Sequence, residues 1–176
     1  MDLKKNIGRE ELVAILKSVS SINLSSQRSA DFLDFVINTM HFYPDADYLA
    51  RPSEEIFFNI YGLFKFAEKS RVNITGEAPI SSARVKAFNP QPEVDGCSSS
   101  HTIIYINQLD MPFLVDSLRM ALNRRCLNIF TLQSNPAWVV RDGSGQLKAC
   151  HKSYIDGAQR EAFINIEVDI HRDSEL

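Results

Sequence analysis

The sequence predicts an α+β protein in two parts. A helical N-terminal segment occupies residues 1–75, and an antiparallel sheet with helices on one face occupies residues 81–176. Three observations carry this reading. Apolar residues recur at helical spacing before residue 75 and at strand spacing after it. Near residue 110 a strand passes through an acid and a proline into an amphipathic helix and returns as a strand. The last apolar run alternates strictly with polar residues, the mark of a sheet covered on one side.

In the first part, Leu12, Ile15, Leu16 and Val19 form one helical stripe, and Leu33, Val36, Ile37 and Met40 form a second after Ser29. A third helix opens at Pro52-Ser53-Glu54-Glu55, where a hydroxyl and two acids suit the positive end of the helix dipole. Its stripe is Ile56, Phe57, Ile60, Leu63, Phe64 and Ala67. Phe32, Phe35, Phe58 and Phe66 widen the apolar surface, which fits helix–helix core better than an aromatic cofactor box.

Residues 71–80 and 89–100 read as loops rich in Pro, Gly and Ser, with a short strand at 84–88 between them. Residues 102–107, Thr-Ile-Ile-Tyr-Ile-Asn, form a β-branched strand. Asp110 then caps a helix with Pro112 in its first turn, where a missing N–H costs nothing. Leu114, Leu118, Ala121 and Leu122 make its inner face, flanked by Met111 and Val115. Arg119, Asn123 and Arg124 lie outside, and Arg124 and Arg125 complement the dipole at its end. Strands follow at 127–132 and 137–141, and a hairpin through Asp142-Gly143-Ser144-Gly145 leads to a strand at 146–150. In the final strand Ala162, Ile164, Ile166, Val168 and Ile170 face one way, and Asn165, Glu167 and Asp169 face solvent. Asp173-Ser174-Glu175-Leu176 reads as a helix start that the sequence cuts short. The β-α-β order with a further strand and helix is the first part of a ferredoxin-like unit.

Composition narrows the function classes. A chain of 176 residues, 44% hydrophobic and 23% charged, has ordinary globular texture. A net charge of −3 gives no reason to expect nucleic acid or an anionic membrane as partner. No apolar run is long enough to span a membrane, and residues 1–5 do not begin a signal peptide. Three cysteines, Cys97, Cys126 and Cys150, suggest no disulfide framework, and with it a reducing cytoplasm. His41, His101, His151 and His171 do not combine with them into a metal pattern. The Asn73-Ile74-Thr75 sequon has no meaning outside a secretory context.

Catalytic signatures are missing too. Gly143 and Gly145 belong to a hairpin, and no phosphate-binding or nucleophile-elbow motif occurs. Glu54 and Glu55 point about 100° apart on a helix and do not converge. Glu167 and Asp169 read as a solvated strand face, with His171 nearby as a weak general base. The sequence therefore assigns no catalytic residue, no cofactor-binding residue and no metal ligand.

The turn Asp110-Met111-Pro112-Phe113-Leu114 resembles the first turn of ACT domains, ferredoxin-like regulatory modules whose usual turn is Asp-x-Pro-Gly-Leu. Phe113 stands where glycine is expected, and a side chain there fills the space through which an amino acid would approach the backbone. A longer resemblance runs from Tyr43 to the C-terminus. "YPDADYLARPSEEIFFNIYGLFKFAEKS", "RVKAFNP", "DMPFLVDSLRMALNRR" and "FINIEVDIHR" fall in the order shown by the N-terminal region of the large bacterial NAD-specific glutamate dehydrogenases. That resemblance implies an ACT-like regulatory or assembly domain of a long, homo-oligomeric polypeptide. The parent would oxidise L-glutamate to 2-oxoglutarate and ammonia with NAD, bound far downstream, so no cofactor is expected in this segment. The partners implied are the downstream domains of the same polypeptide and, weakly, an amino-acid effector. The turn from Asp110 to Leu114 is the expected effector or docking element. Arg119, Arg124, Asn165, Glu167 and Asp169 are the expected docking surface. A free-standing amino-acid-binding ACT protein is the alternative, and a small enzyme of unrecognised type the third.

Overall fold

A computed structural model describes residues 3–39, 50–68, 83–96 and 98–170. The expected loop at 71–80 with its sequon, the helix start at 173–176, and His41, Met40, Cys97 and His171 lie outside the described residues. Three helices come first: α1 (Leu3–Asn23), α2 (Ser26–Thr39) and α3 (Ser53–Glu68). Then follow β1 (Arg84–Phe88), the single turn α4 (Pro92–Asp95), β2 (His101–Leu109), α5 (Leu114–Arg124), β3 (Ile129–Arg141), β4 (Leu147–His151) and β5 (Gln159–Asp169). The predicted α+β class is present, with five strands where six were expected and the single turn α4 inside the expected loop at 89–100.

The five strands form one sheet in the order β1-β2-β5-β3-β4, with every pairing antiparallel. β2 and β3 flank β5, and both run against it, so they are parallel to each other and joined through α5. Residues expected to form two strands, 127–132 and 137–141, are one strand interrupted by Pro136. The proline is tolerated because β4 pairs with β3 only from Trp138 onward. At Pro136 the strand has a neighbour on one side alone, Ala162 of β5, and needs no second N–H bond.

Register assigns each strand residue to a face. Ile104 pairs with Ile166, and Ile106 with Ile164. With Ala162 and Val168 they make an aliphatic cluster that Leu114, Leu118 and Leu122 of α5 cover. The helix face read from the sequence is therefore the one turned to the sheet, where Leu114, Leu118 and Leu122 are half-buried and Ala121 is exposed.

The opposite face was expected to meet solvent and does not. Ile103, Tyr105, Ala137, Val139, Cys150 and Phe163 join Leu12, Leu16, Phe32, Val36, Ile60 and Leu63 in one core. The N-terminal helices thus complete the sheet's second hydrophobic layer. An amphipathic stripe must bury somewhere, and this face offers the area. In α2 the buried residues are Phe32, Phe35, Val36 and Thr39, while Ile37 is exposed. The predicted stripe was rotated because it ran through Ile37 instead of through the two phenylalanines. Phe35 meets Phe163 of β5 at 5.3 Å between ring centroids, and Phe32 meets Phe57 of α3 at 5.5 Å, both edge to face.

Candidate functional site

The strand–helix junction after β2 differs from the expected capped helix. Asp110 donates its backbone N–H to the carbonyl of Arg160 (3.0 Å) and pairs its carboxylate with the Arg160 guanidinium (3.1 Å). It lies four residues before α5 and caps nothing. Pro112 likewise falls before the helix rather than in its first turn. The residue at the cap position is Phe113, with φ 62° and ψ 12° and no side-chain cap bond. Phe113 therefore adopts the left-handed conformation that glycine would take in the related turn, at a strain of roughly 1–2 kcal/mol. The residue is 79% exposed, so its side chain fills no space inside the fold. Met111 beside it is exposed as well, while Leu114 turns inward onto the aliphatic cluster. The turn consequently displays two apolar side chains to solvent.

The five expected docking residues do not form one surface. Arg119 and Arg124 are exposed on α5, on the aliphatic side of the sheet. Asn165 and Glu167 lie on the other side and are each 1% exposed, because the N-terminal helices cover them. Asp169, at the strand end, accepts bonds from the backbone (3.0 Å) and side-chain (2.6 Å) nitrogens of Asn128. The period-two pattern placed Asn165 and Glu167 correctly on a common face. It mistook a polar buried face for a solvated one.

What holds those polar groups is a pair of arginine–glutamate clusters on β5. Glu167 accepts from Nη1 of Arg51 at 2.8 and 2.9 Å and from Nδ2 of Asn59 at 2.8 Å. Asn59 Oδ1 in turn accepts from Asn165 Nδ2 at 3.0 Å, and the Asn59 carbonyl accepts from the Tyr105 hydroxyl at 2.8 Å. Six residues away, Glu161 accepts two parallel bonds from Nε and Nη2 of Arg141, both 2.8 Å, and one from Asn107 Nδ2. Arg141 also donates Nη1 to the Ala67 carbonyl at 3.1 Å, in the last turn of α3. Arg51 lies two residues before the start of the same helix. One helix is thereby fixed to the central strand at both ends by charge-assisted hydrogen bonds.

These clusters are built for holding layers together. Every carboxylate in them is met by a cation or an amide, and the acids sit under α3 away from solvent. Sequence reading missed Arg51, Asn59, Asn107, Arg141 and Glu161. The available signal was Glu161 and Glu167 on one strand face, which becomes informative once that face is known to be covered. Burial pushes the Cys150 thiol up to about 12, so it is protonated at neutral pH and unreactive. Among the described residues no cluster of three or more His, Cys, Asp or Glu could hold a metal ion. Nor is any described helix long and apolar enough to cross a membrane.

Comparison with known proteins agrees with this architecture. The glutamate dehydrogenase ACT1 domain family matches residues 35–176. An NAD-specific glutamate dehydrogenase of Halomonas elongata is 30% identical over 165 residues, 93% of this chain and 10% of that protein. The NAD-specific glutamate dehydrogenase of Pseudomonas aeruginosa is 40% identical over 87 residues, 48% of this chain and 5% of that protein. No solved structure matches the chain. The chain thus spans a tenth or less of the length of these relatives. With an α+β sheet, a strand–turn–helix junction at 110–114 and a family match over most of its length, the chain belongs to the glutamate dehydrogenase ACT1 domain family.

Proposed function

We propose that this chain is a non-catalytic regulatory and assembly module of a large NAD-specific glutamate dehydrogenase. The observation that carries the reading is the 30% identity across 93% of the chain to one small part of such an enzyme. The parent reaction is L-glutamate, NAD and water giving 2-oxoglutarate, ammonia and NADH, with NAD bound by other domains. The module's partners are the downstream domains of the same polypeptide, in a cytoplasmic homo-oligomer. Within the module, the turn carrying Met111 and Phe113 is the contact element, because exposed aromatic and methionine side chains are favoured at interface centres. The strain accepted at Phe113 supports a role for its ring outside the fold.

Two measurements test this. Purified protein given glutamate and NAD should form no NADH above a protein-free control, and turnover would overturn the non-catalytic reading. In the full-length parent enzyme, Phe113→Ser should shift the oligomer distribution or the glutamate dependence of the rate. Unchanged assembly and unchanged kinetics would remove the turn from the contact.

The alternative of a free-standing amino-acid sensor predicts calorimetric binding of glutamate or another amino acid at micromolar concentration. With a phenyl ring rather than hydrogen at position 113, no amino acid is expected to bind at the turn more tightly than about millimolar, near −4 kcal/mol.

A further inference from the structure

A cavity of about 570 Å³ lies between α3, β1 and the segment from Pro90 to Gly96. That size falls within the range of small-molecule sites, roughly 300–1,000 Å³. The apolar part of its wall is largely aromatic, with Phe58 and Phe66 from α3, Phe88 from β1 and Tyr105 from β2. The floor is fixed rather than soft. Tyr105 is buried, its hydroxyl is bonded to the Asn59 carbonyl, and it reaches Gly62 so closely that a Cβ there would stand 2.5 Å from the oxygen.

Two lysines line the same cavity from different elements, Lys65 on α3 and Lys86 on β1. The Lys86 ammonium sits 3.8 Å from the centroid of the Phe88 ring, and that of Lys65 sits 5.6 Å from Tyr61. A ring face orients an ammonium without cancelling its charge. Among the described residues neither lysine forms an ion pair. Glu93 and Asp95 line the opposite lip, and Asp95 is turned back to accept from the Gln91 N–H at 3.0 Å. The two lysines thus lie on the α3–β1 side of the cavity and the two acids on the segment that faces them.

We propose that this cavity binds a small organic anion. The carboxylate or phosphate would sit between Lys65 and Lys86, and the apolar body would lie against Phe58, Phe66, Phe88 and Tyr105. Such a ligand bridges a helix of the N-terminal layer and the edge of the sheet, so it stabilises their packing by mass action. The site lies on the helical-layer face of the sheet and uses no residue of the Asp110 turn. Its failure would leave the place of the chain in a dehydrogenase untouched, since that rests on family membership.

Ligand-observed NMR on the purified protein tests the proposal with three probes: benzoate, phenyl phosphate and benzylamine. Saturable one-site binding of benzoate or phenyl phosphate is expected, and which of the two binds distinguishes a carboxylate ligand from a phosphate one. Benzylamine, of similar shape and opposite charge, should bind at least tenfold more weakly. Lys65→Gln with Lys86→Gln should weaken anion binding at least tenfold while leaving the melting temperature within a degree or two, because both side chains are exposed. In the unaltered protein the same binding should fall as salt screens the ammonium groups. Absence of saturable anion binding, equal binding of benzylamine, or affinity indifferent to both lysines and salt would each overturn the assignment.

Discussion

The two faces of the sheet are buried by different chemistry, although they share the same strands. On the α5 side, Ile104, Ile106, Ala162, Ile164, Ile166 and Val168 pack against Leu114, Leu118, Leu122, Leu127, Ile129 and Leu132. On the other side Tyr105 and Phe163 alternate with Asn107, Asn165, Glu161 and Glu167, all buried beneath the N-terminal helices. The aliphatic face sticks to any apolar partner of the right size, and its stability rises with the area covered. The polar face tolerates one arrangement, because each buried carboxylate must meet its own arginine. The contrast suggests a division of labour in which the aliphatic face supplies cohesion and the polar face fixes where α3 sits along β5.

The strongest way to break that contrast is to remove one cation from the polar face. Arg141→Met takes two charge-assisted bonds from Glu161 and one from the Ala67 carbonyl. A loss of about 3–5 kcal/mol is expected in a urea melt. Arg141→Met combined with Glu161→Met should recover most of that loss, since a hydrophobic replacement of a buried pair is often neutral. A single variant that melts like the parent protein would mean that the pair does not secure α3.

Ile164→Ala probes the aliphatic face and should cost about 3 kcal/mol through lost burial and the cavity left behind. Its partner prediction is sharper. Adding Ile166→Ala should worsen stability further, with none of the rescue expected on the polar face. Rescue by the second truncation would erase the distinction between the faces.

Smaller effects belong to the turn that joins β2 to α5. Phe113→Gly should stabilise the isolated protein by about 1 kcal/mol, because glycine adopts φ 62° without the side-chain penalty. A loss of stability would show that the ring packs against the fold after all. Asp110→Ala should change stability by less than about 1 kcal/mol, the usual range for a partly exposed ion pair. A larger loss would indicate that Asp110 does more than pair with Arg160.

How much of this was legible in the sequence differs between the faces. Alternation from Ala162 to Val168 identified the aliphatic side of β5, and the leucine spacing in 114–122 identified its helix. The motif at 110–114 located the junction, and the resemblance around it identified the family. The cap at Asp110 was misjudged because an Asp before Pro normally signals helix entry, and here a left-handed residue turns the chain first. The site residues at Asn165 and Glu167 were found as a pair and given the wrong surroundings.

The amino-acid sequence by itself determined the α+β class, most of the order of elements, the two faces of the last strand, and the family. These are local or near-local properties, set by periodicity and by contiguous motifs. Tertiary structure alone decided that the polar side of β5 is interior, that Arg51 and Arg141 reach Glu167 and Glu161, and that Lys65 and Lys86 border one cavity. Arg51 and Glu167 are separated by 116 positions. No pattern within either segment encodes the partner of a charge that far away, and only packing of α3 across β5 brings the two within hydrogen-bonding distance.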